Sequence, residues 1–421
     1  MPTGGTASPL ETLALESALA ADLWCPAALA HAKIKKDLPF FCHARPVLHS
    51  VPMTTVEVAD LTLLDAALEE APDTDAVFVL WPKQGDPYIS KTARLRRRLR
   101  RLLSTREKPS RLLNLRDTVG RIEYQLTASG LESSIVYYET ARRLFPDSYL
   151  GLTRLRMPSY VKILLANEFP RSQLTTHLAR TGDSKAPLFF GPFRSRASAE
   201  RFEGQFLDLF QMRRCQDDLA PSPEHPGCIY GEMAMCLRPC QRIVGPAEYA
   251  HEVDRAADFL RTQGRSLADS IARSRDRLSD EMNFEEAARQ HKRYERVQEV
   301  MKLRDDLAAD LDHLNGAAIT RSETPGSVQL WFLRAGCWQA PQRFSFEARE
   351  GRPIPMDHQL RAVFAAVEGR KLTVRERQEY LALLARWYYS SWRDGEWLSF
   401  ESWDEIPYRK LVHAISRVAR Q

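Results

Sequence analysis

Residues 76–104 read AVFVLWPKQGDPYISKTARLRRRLRRLLS, and this stretch decides the fold of the first part of the chain. The runs AVFVLW and PYIS predict two short strands, and the KQGD between them supplies turn residues. Leucines at helical spacing then predict a helix from Lys91 to Ser104 with arginines on its other positions, called the basic helix below. Further on, IEYQLTAS predicts a strand and LESSIVYYETARRLF a helix that ends at Pro146. This order of elements predicts a small α+β domain.

The whole chain has the composition of a multidomain, water-soluble protein. A chain of 421 residues is too long to fold around one ordinary hydrophobic core, and its net charge of +5 is a mild excess of positive charge. No apolar run approaches the ~20 residues of a membrane span. The N-terminus has no basic cluster before an apolar core, as a signal peptide would. We therefore expect a cytoplasmic protein with no membrane partner, in which cysteines stay reduced.

Changes in periodicity predict a multidomain α+β fold with five regions. A helical extension at 1–70 contains the amphipathic run ETLALESALAADLW, and the small α+β domain follows at 71–150. A linker and cysteine-rich region is expected at 151–245 and a charged helical region at 246–312. The region 313–421 is expected to begin with strands, as in AAITR and SVQLWFLRAG, and to continue as helices. A break near Asn283 predicts two antiparallel helices in the charged region.

Four of the seven cysteines lie within residues 215–240, CQDDLAPSPEHPGCIYGEMAMCLRPC. Cys215, Cys228, Cys236 and Cys240 are surrounded by residues too polar and proline-rich to bury four thiols separately. Thiolates on such loops can converge on one centre, and soft sulfur ligands select zinc or an iron–sulfur cluster. The alternative is that they are unrelated core thiols, or that only the last two meet. No CxxC pair is present, so spacing does not choose between the two metals.

The cysteine-rich stretch carries the most specific resemblance in the chain. Its segments QMRRC, GCIY and MCLRPC are similar to the cysteine-rich region of the UvrC family, part of the excinuclease ABC of bacterial nucleotide excision repair. In chain order, AVFVLW, PYIS and KTARLRRRLRRLL resemble its GIY-YIG nuclease domain, LFFGPF its FGP signature, and DEMNFEEAARQHKRYERV its UVR motif. The resemblance implies a 4Fe–4S cluster on the four cysteines, with zinc as the alternative, and DNA and a UvrB-like protein as partners.

The resemblance covers about residues 70–347, roughly two-thirds of the chain. UvrC proteins continue into an RNase H-like nuclease domain and a pair of helix-hairpin-helix modules. The residues after 347 are too few to build either, so we expect a half-length relative similar to the Cho-type proteins.

The resemblance also assigns a nuclease centre whose residues are only partly retained. Tyr88, Lys91 and Arg98 match the second tyrosine, the lysine after it and the catalytic arginine. The first tyrosine's position is occupied by Phe78, which has no hydroxyl to relay a proton. Ser90 replaces the glycine of YIG.

The metal-binding glutamate of the family is the decisive position. In the gapless register set by Glu132 and Pro146, that position is Tyr137. Glu139 lies two residues on, about 200° around the helix, so it is expected to point to nearly the opposite side. We therefore expect an inactive or severely weakened centre, with a divalent metal such as magnesium needed only if it is active.

The arginines of the basic helix have two interpretations. A run of charges is usually a solvated helix face. Arginine, however, suits bidentate phosphate contacts, and such a density would give salt-dependent DNA affinity. The candidate DNA-binding residues are Arg94, Arg96, Arg97, Arg98, Arg100 and Arg101.

The run NFEEAARQHKRYERV also has two interpretations. It is either a plain charged hairpin within the protein or a surface for a partner hairpin, which the resemblance identifies as UvrB. Phe284, Ala287 and Ala288 share one helical face, where small residues permit close helix approach. These three and Glu285 are the candidate partner-binding residues.

Three functions remain open at this point. The first is a repair protein that binds DNA and UvrB without incision chemistry of its own. The second is a working Cho-like endonuclease that makes a single incision near a lesion. The third is a UvrB-binding regulator that never contacts DNA, for which neutralising Arg97, Arg98 and Arg100 would change nothing.

Overall fold

A computed structural model describes residues 52–105, 113–179, 186–346 and 355–420, in which helices and strands form three small sheets. This mixture confirms the predicted multidomain α+β class. The predicted amphipathic helix ETLALESALAADLW lies outside the described residues. In the described part of the chain, no helix combines the length and the apolar character that crossing a membrane requires.

The first sheet is antiparallel and has the strand order β1-β4-β2-β3. Its strands are β1 (Thr54–Glu57), β2 (Ala76–Pro82), β3 (Tyr88–Thr92) and β4 (Val119–Leu126). One face packs against α1 (Leu61–Glu70) and α2 (Leu95–Leu103), and the other against α3 (Gly130–Leu144). Strand β3 lies at the edge of the sheet and pairs only with β2.

The predicted hairpin, basic helix, strand and helix are confirmed, but the basic helix begins at Leu95 rather than at Lys91. Lys91 and Thr92 instead extend β3, where they pair with β2. The structure adds β1, which pairs with β4 so that Thr54 lies opposite Tyr124. It also adds α1, whose Leu64 and Leu68 are buried in the same core. The sheet therefore starts at residue 54, within the region 1–70 that we expected to be a helical extension. A four-residue edge strand is too short to show a period in the sequence.

The second sheet, of order β6-β5-β7-β8, carries the middle of the chain. After α4 (Tyr149–Thr153), its strands are β5 (Ser159–Ile163), β6 (Ser172–Thr175), β7 (Leu188–Phe193) and β8 (Ala309–Asp310). Helix α5 (Arg196–Leu207) and the short α6 (Ile229–Glu232) come next. They are followed by α7 (Pro246–Arg261), α8 (Arg265–Asp280) and α9 (Phe284–Lys302). The predicted break near Asn283 is confirmed, because α8 and α9 are separate helices that pack together. The Asn283 side chain caps α9 by accepting a hydrogen bond from the Glu286 N–H.

The run LFFGPF forms β7, in which Gly191 is required by a close approach. A Cβ at Gly191 would lie 2.6 Å from the ring of Tyr160 and 3.1 Å from the Ser159 carbonyl oxygen. Its φ of +155° is also one that L residues rarely adopt.

The third sheet has the order β11-β10-β9-β13, with β12 also paired to β10. Its strands are β9 (Asn315–Arg321), β10 (Ser327–Arg334), β11 (Cys337–Trp338), β12 (Gln342–Ser345) and β13 (Gly395–Phe400). The helices are α10 (Met356–Ala365), α11 (Val374–Tyr388) and α12 (Tyr408–Val418). The strands after residue 313 were predicted, but β13 lies in the part expected to be helical. Strand β13 is stabilised by its pairing with β9, and its own residues give no clear strand pattern.

Helix α11 connects the C-terminal region to the first sheet. It shares a core with α3 that contains Tyr138, Leu384 and Trp387. The buried carboxylate of Glu379 accepts hydrogen bonds from the Tyr138 hydroxyl and, at 2.7 Å, from the Tyr149 hydroxyl. The segment after α11 therefore lies beside β3.

Candidate functional sites

The retained nuclease-family positions lie at the outer edge of the first sheet. The Arg98 guanidinium donates a 3.1 Å hydrogen bond to the Tyr88 hydroxyl. Lys91, three residues along β3, donates a 3.0 Å bond to the Ser134 hydroxyl. Although much of the Lys91 side chain is exposed, its ammonium lies among protein atoms, and this desolvation, followed by the Arg386 charge, lowers its pKa. Within the described residues, neither Lys91 nor Arg98 is in a salt bridge.

Phe78, which the resemblance aligns with the family's first tyrosine, lies in an apolar environment. Phe78 is fully buried, with its ring centroid 6.2 Å from that of Tyr88. It lies opposite Ser90 in the β2–β3 pair. Hydrophobic packing therefore replaces the hydroxyl at this position.

Helix α3 turns Tyr137 and Glu139 toward different surroundings. The Tyr137 hydroxyl donates to the Leu152 carbonyl at 3.4 Å, and burial, followed by the neighbouring Tyr88, raises its pKa. Glu139 accepts a 2.6 Å hydrogen bond from the hydroxyl of Tyr380 on α11. This difference follows from the helical spacing of the two residues. The carboxylate of Glu139 is thus engaged with the C-terminal region.

The six arginines of the basic helix divide between protein contacts and solvent. The helix buries its leucines against the sheet, so its arginines lie on the outer positions. Arg96 donates a 2.6 Å hydrogen bond to the Ala71 carbonyl, and Arg100 pairs with Glu69. Arg98 contacts Tyr88, as described above. The arginines with exposed side chains are Arg94, Arg97, Arg100 and Arg101.

The structure brings the four predicted cysteines together around one small cavity. All four are free thiols, and Cys236 and Cys240 are buried while Cys215 and Cys228 are partly buried. Burial, reinforced by the other three sulfurs, raises the pKa of Cys236 to about 11. Within the described residues, no three His, Cys, Asp or Glu side chains are placed so that together they could hold a metal ion.

A buried arginine adjoins this cavity. Arg213 is 2% exposed, and its guanidinium donates to the Phe169 carbonyl at 2.9 Å, the Asp217 carbonyl at 2.7 Å and the Cys215 sulfur at 3.4 Å. It places a fixed positive charge beside the thiols, where a thiolate or an anionic cluster would be stabilised. The sequence offered one signal for this role, because Arg213 lies two positions before the first cysteine.

The α8–α9 hairpin presents only some of the predicted partner-binding residues. Phe284 is 65% exposed, and Glu285 and Ala288 are also exposed. Ala287 is 9% exposed because it lies within the hairpin, so it supports the helix pair rather than an outer surface. Met282, which we did not predict, is 77% exposed at the tip beside Phe284.

Three further residues that sequence reasoning missed lie near Lys91 and Tyr137. Arg386 donates a 3.1 Å hydrogen bond to the Thr153 carbonyl, and Arg154 follows directly in the chain. The ring of Trp392 lies 5.9 Å from the Lys91 ammonium. They come from segments remote in sequence, so no local pattern could have identified them.

Known proteins match both the middle of the chain and its larger part. The family described as UvrC/Cho excinuclease, middle domain, matches residues 160–259, which include the second sheet's β7 and all four cysteines. UvrABC system protein C of Moorella thermoacetica is 26% identical over 289 residues, which are 68% of this chain and 46% of that protein. The corresponding protein of Rickettsia africae is 26% identical over 286 residues, 67% of this chain and 43% of that protein. No solved structure matches the chain.

These matches make the chain similar to the UvrC/Cho excinucleases, whose middle domain it matches at residues 160–259. It is a relative of UvrC that aligns over about two-thirds of its own length. The aligned part spans less than half the length of these curated relatives.

Proposed function

We propose that this chain is a nucleotide excision repair protein that binds DNA and a UvrB-like partner but has lost incision chemistry. One observation carries the proposal. Tyr137 on α3 lies near Tyr88 of β3, whereas Glu139 accepts a hydrogen bond from Tyr380. A GIY-YIG-like centre needs a carboxylate to hold its divalent metal. Because burial raises the pKa of Tyr137, its phenol stays protonated at neutral pH and is a poor ligand for magnesium.

The DNA contact is supported by the outward face of the basic helix. The exposed side chains of Arg94, Arg97 and Arg101 lie on one short helix whose apolar side is fixed to the sheet. A rigid row of guanidinium groups suits the phosphates of a duplex, independently of base sequence.

A salt titration of duplex binding tests this contact. Replacing Arg94 and Arg97 by glutamine is expected to weaken binding and to lower the slope of log affinity against log salt by about 1.8, or about 0.9 per phosphate contact. The matched control is Arg409→Gln with Lys410→Gln, two exposed cations on α12. If both double variants behaved alike, the protein would be a regulator without DNA contact through the basic helix.

We also propose that the four cysteines hold a 4Fe–4S cluster, with zinc as the alternative. The support is a set of four free thiols around one cavity, beside the buried charge of Arg213. Soft thiolate ligands of this kind select an iron–sulfur cluster or zinc. When bound, such a group would cross-link loops that have little regular structure of their own and would carry negative charge that Arg213 offsets.

Anaerobic purification with metal analysis tests the cofactor. The expected result is bound iron and sulfide with broad absorbance near ~400 nm, lost in Cys236→Ser and kept in Cys337→Ser. Cys337 is the control because it is a free cysteine on β11, outside the four-thiol cavity. Bound zinc instead of iron would show that the four cysteines form a zinc site. Protein without any bound metal would refute the proposed metal site.

The tip of the α8–α9 hairpin supports docking on a UvrB-like protein. Met282 and Phe284 are large apolar residues that a packed partner would cover. Met282→Ser with Phe284→Ser is expected to weaken binding to purified UvrB at least tenfold, roughly the loss of one interface hot spot. Leu63→Ser, at an equally apolar exposed position on α1, is the control and should bind normally. Equal binding by both would remove the hairpin from the interface.

A Cho-like endonuclease is favoured by one observation, the hydrogen bond between Arg98 and Tyr88. This pair keeps the catalytic arginine beside the second tyrosine, as an active centre would require. The incision assay that closes the Discussion separates the two functions.

A further inference from the structure

Four cations from four elements of the chain lie around the outer edge of β3. Arg98 comes from α2 and bonds to Tyr88 at 3.1 Å, while Lys91 leaves β3 on the other face of the sheet. Arg154 follows α4, and Arg386 on α11 is tied to the neighbouring Thr153 at 3.1 Å. The cations thus follow the edge strand along both of its faces.

In the described part of the chain, the four cations have no carboxylate partner at salt-bridge distance. Within the described residues, no salt bridge involves Lys91, Arg98, Arg154 or Arg386, although 19 such pairs occur elsewhere, from Arg100–Glu69 to Arg417–Glu396. The proximity of Arg386 lowers the pKa of Lys91, which adds to the larger effect of desolvation. An anion bound beside Lys91 and Arg386 would stabilise this pair of like charges. Their spread along a strand edge suits a chain of phosphates better than a single small anion.

An exposed aromatic ring stands at the same edge. Trp392 is 44% exposed, and its ring lies 5.9 Å from the Lys91 ammonium. It is held by a close approach to Gly130, where a Cβ would lie 2.7 Å from the ring. The nearby Asp394 accepts a 2.5 Å hydrogen bond from the Gly130 N–H, which fixes this loop on α3. A positioned ring beside unpaired cations is the arrangement on which an unstacked base can lie.

We propose that Arg154, Arg386 and Trp392 extend the former nuclease centre into a binding site for a single strand of DNA, with its phosphates on the cations and one base on the tryptophan. The proposal rests on the DNA binding proposed above and gives it a second site, built partly by the C-terminal region. Loss of the metal carboxylate favours this use, because a carboxylate among these cations would repel a phosphate.

Fluorescence anisotropy with the full chain and a labelled single-stranded oligothymidylate of about 20 nucleotides tests the site. Arg154→Gln with Arg386→Gln is expected to lower the salt slope by about 1.4, or about 0.7 per contact on single strands. Trp392→Ala is expected to weaken binding about five- to a hundredfold with an unchanged slope. Trp392→Phe should recover part of that loss, because it keeps a ring. Arg409→Gln with Lys410→Gln is the control for both changes.

The outcomes separate this inference from the proposed function. Variants that match the control on single strands, while Arg94→Gln with Arg97→Gln still weakens duplex binding, would refute only the second site. The Arg154→Gln, Arg386→Gln variant could instead lose duplex and single-strand binding to the same extent. That result would refute the proposal that the second site binds a single strand. A native chain that binds neither DNA would overturn both proposals. Thermal melting of each variant identifies any loss that comes from unfolding.

Discussion

Replacing Glu379 by alanine is expected to loosen α11 from the nuclease-like domain. The Glu379 side chain is 1% exposed and accepts hydrogen bonds from the hydroxyls of Tyr138 and Tyr149, two residues that are themselves buried. A third donor, Arg375, lies at 3.0 Å but is 64% exposed. Alanine would leave both phenols without their acceptor in the core shared by α3 and α11.

The cost follows from these contacts. Each buried hydroxyl that loses its only strong acceptor costs about 1–3 kcal/mol. Solvent screening makes the Arg375 pair worth little, so it adds at most about 0.5 kcal/mol. The expected loss in the free energy of unfolding is therefore about 2–6 kcal/mol for Glu379→Ala. Glu379→Gln keeps one acceptor and should cost about half as much.

Urea unfolding followed by tryptophan fluorescence measures this change, because Trp387 and Trp338 are buried in the same core. Glu405→Ala, at an exposed position, is the control and should stay within about 0.5 kcal/mol of the native chain. A cycle with Tyr138→Phe should show a coupling energy of at least about 1 kcal/mol. If Glu379→Ala unfolded like the control, the docking of α11 through this carboxylate would be refuted.

Two further predictions concern stability. Burial raises the pKa of Tyr138 and of Tyr380 above the ordinary value of 10.0, so both keep their protons in the folded state where the unfolded chain loses them. The contribution of these two tyrosines to stability should be constant below about pH 10 and then fall by about 1.4 kcal/mol per pH unit for each of them, which melting curves and tyrosinate absorbance would detect. Gly191→Ala should lower stability by about 1–3 kcal/mol because its Cβ would meet the Tyr160 ring, whereas Gly204→Ala in α5, with open space around it, should raise it by about 0.5–1 kcal/mol. Equal melting temperatures for the two alanine variants would contradict this account of β7.

Much of the first sheet, and the different directions of Tyr137 and Glu139, could be predicted because the signals are local. Alternating and helical periods in residues 76–145 gave the order of strands and helices, and the 100° turn per residue separated Tyr137 from Glu139. The four cysteines were likewise predictable as a convergent set from their surroundings.

What could not be predicted depends on contacts between remote segments. Tyr138 and Glu379 are 241 positions apart, and nothing in either run indicates the other. Strands β1 and β13 are short edge strands that exist through pairing with β4 and β9. Arg386 and Trp392 become part of a site only because α11 docks on α3.

An incision assay tests the central claim most directly. The cofactor-loaded native chain would be added to a lesion-containing duplex already bound by UvrB, with magnesium or manganese, and Arg98→Ala would serve as the control. Binding would be measured in the same reactions. We expect the duplex to be bound and to remain intact with either metal, because the proposed function assigns the metal-binding position to Tyr137 rather than to a carboxylate. Metal-dependent nicks that disappear in Arg98→Ala would contradict the account and identify a working endonuclease.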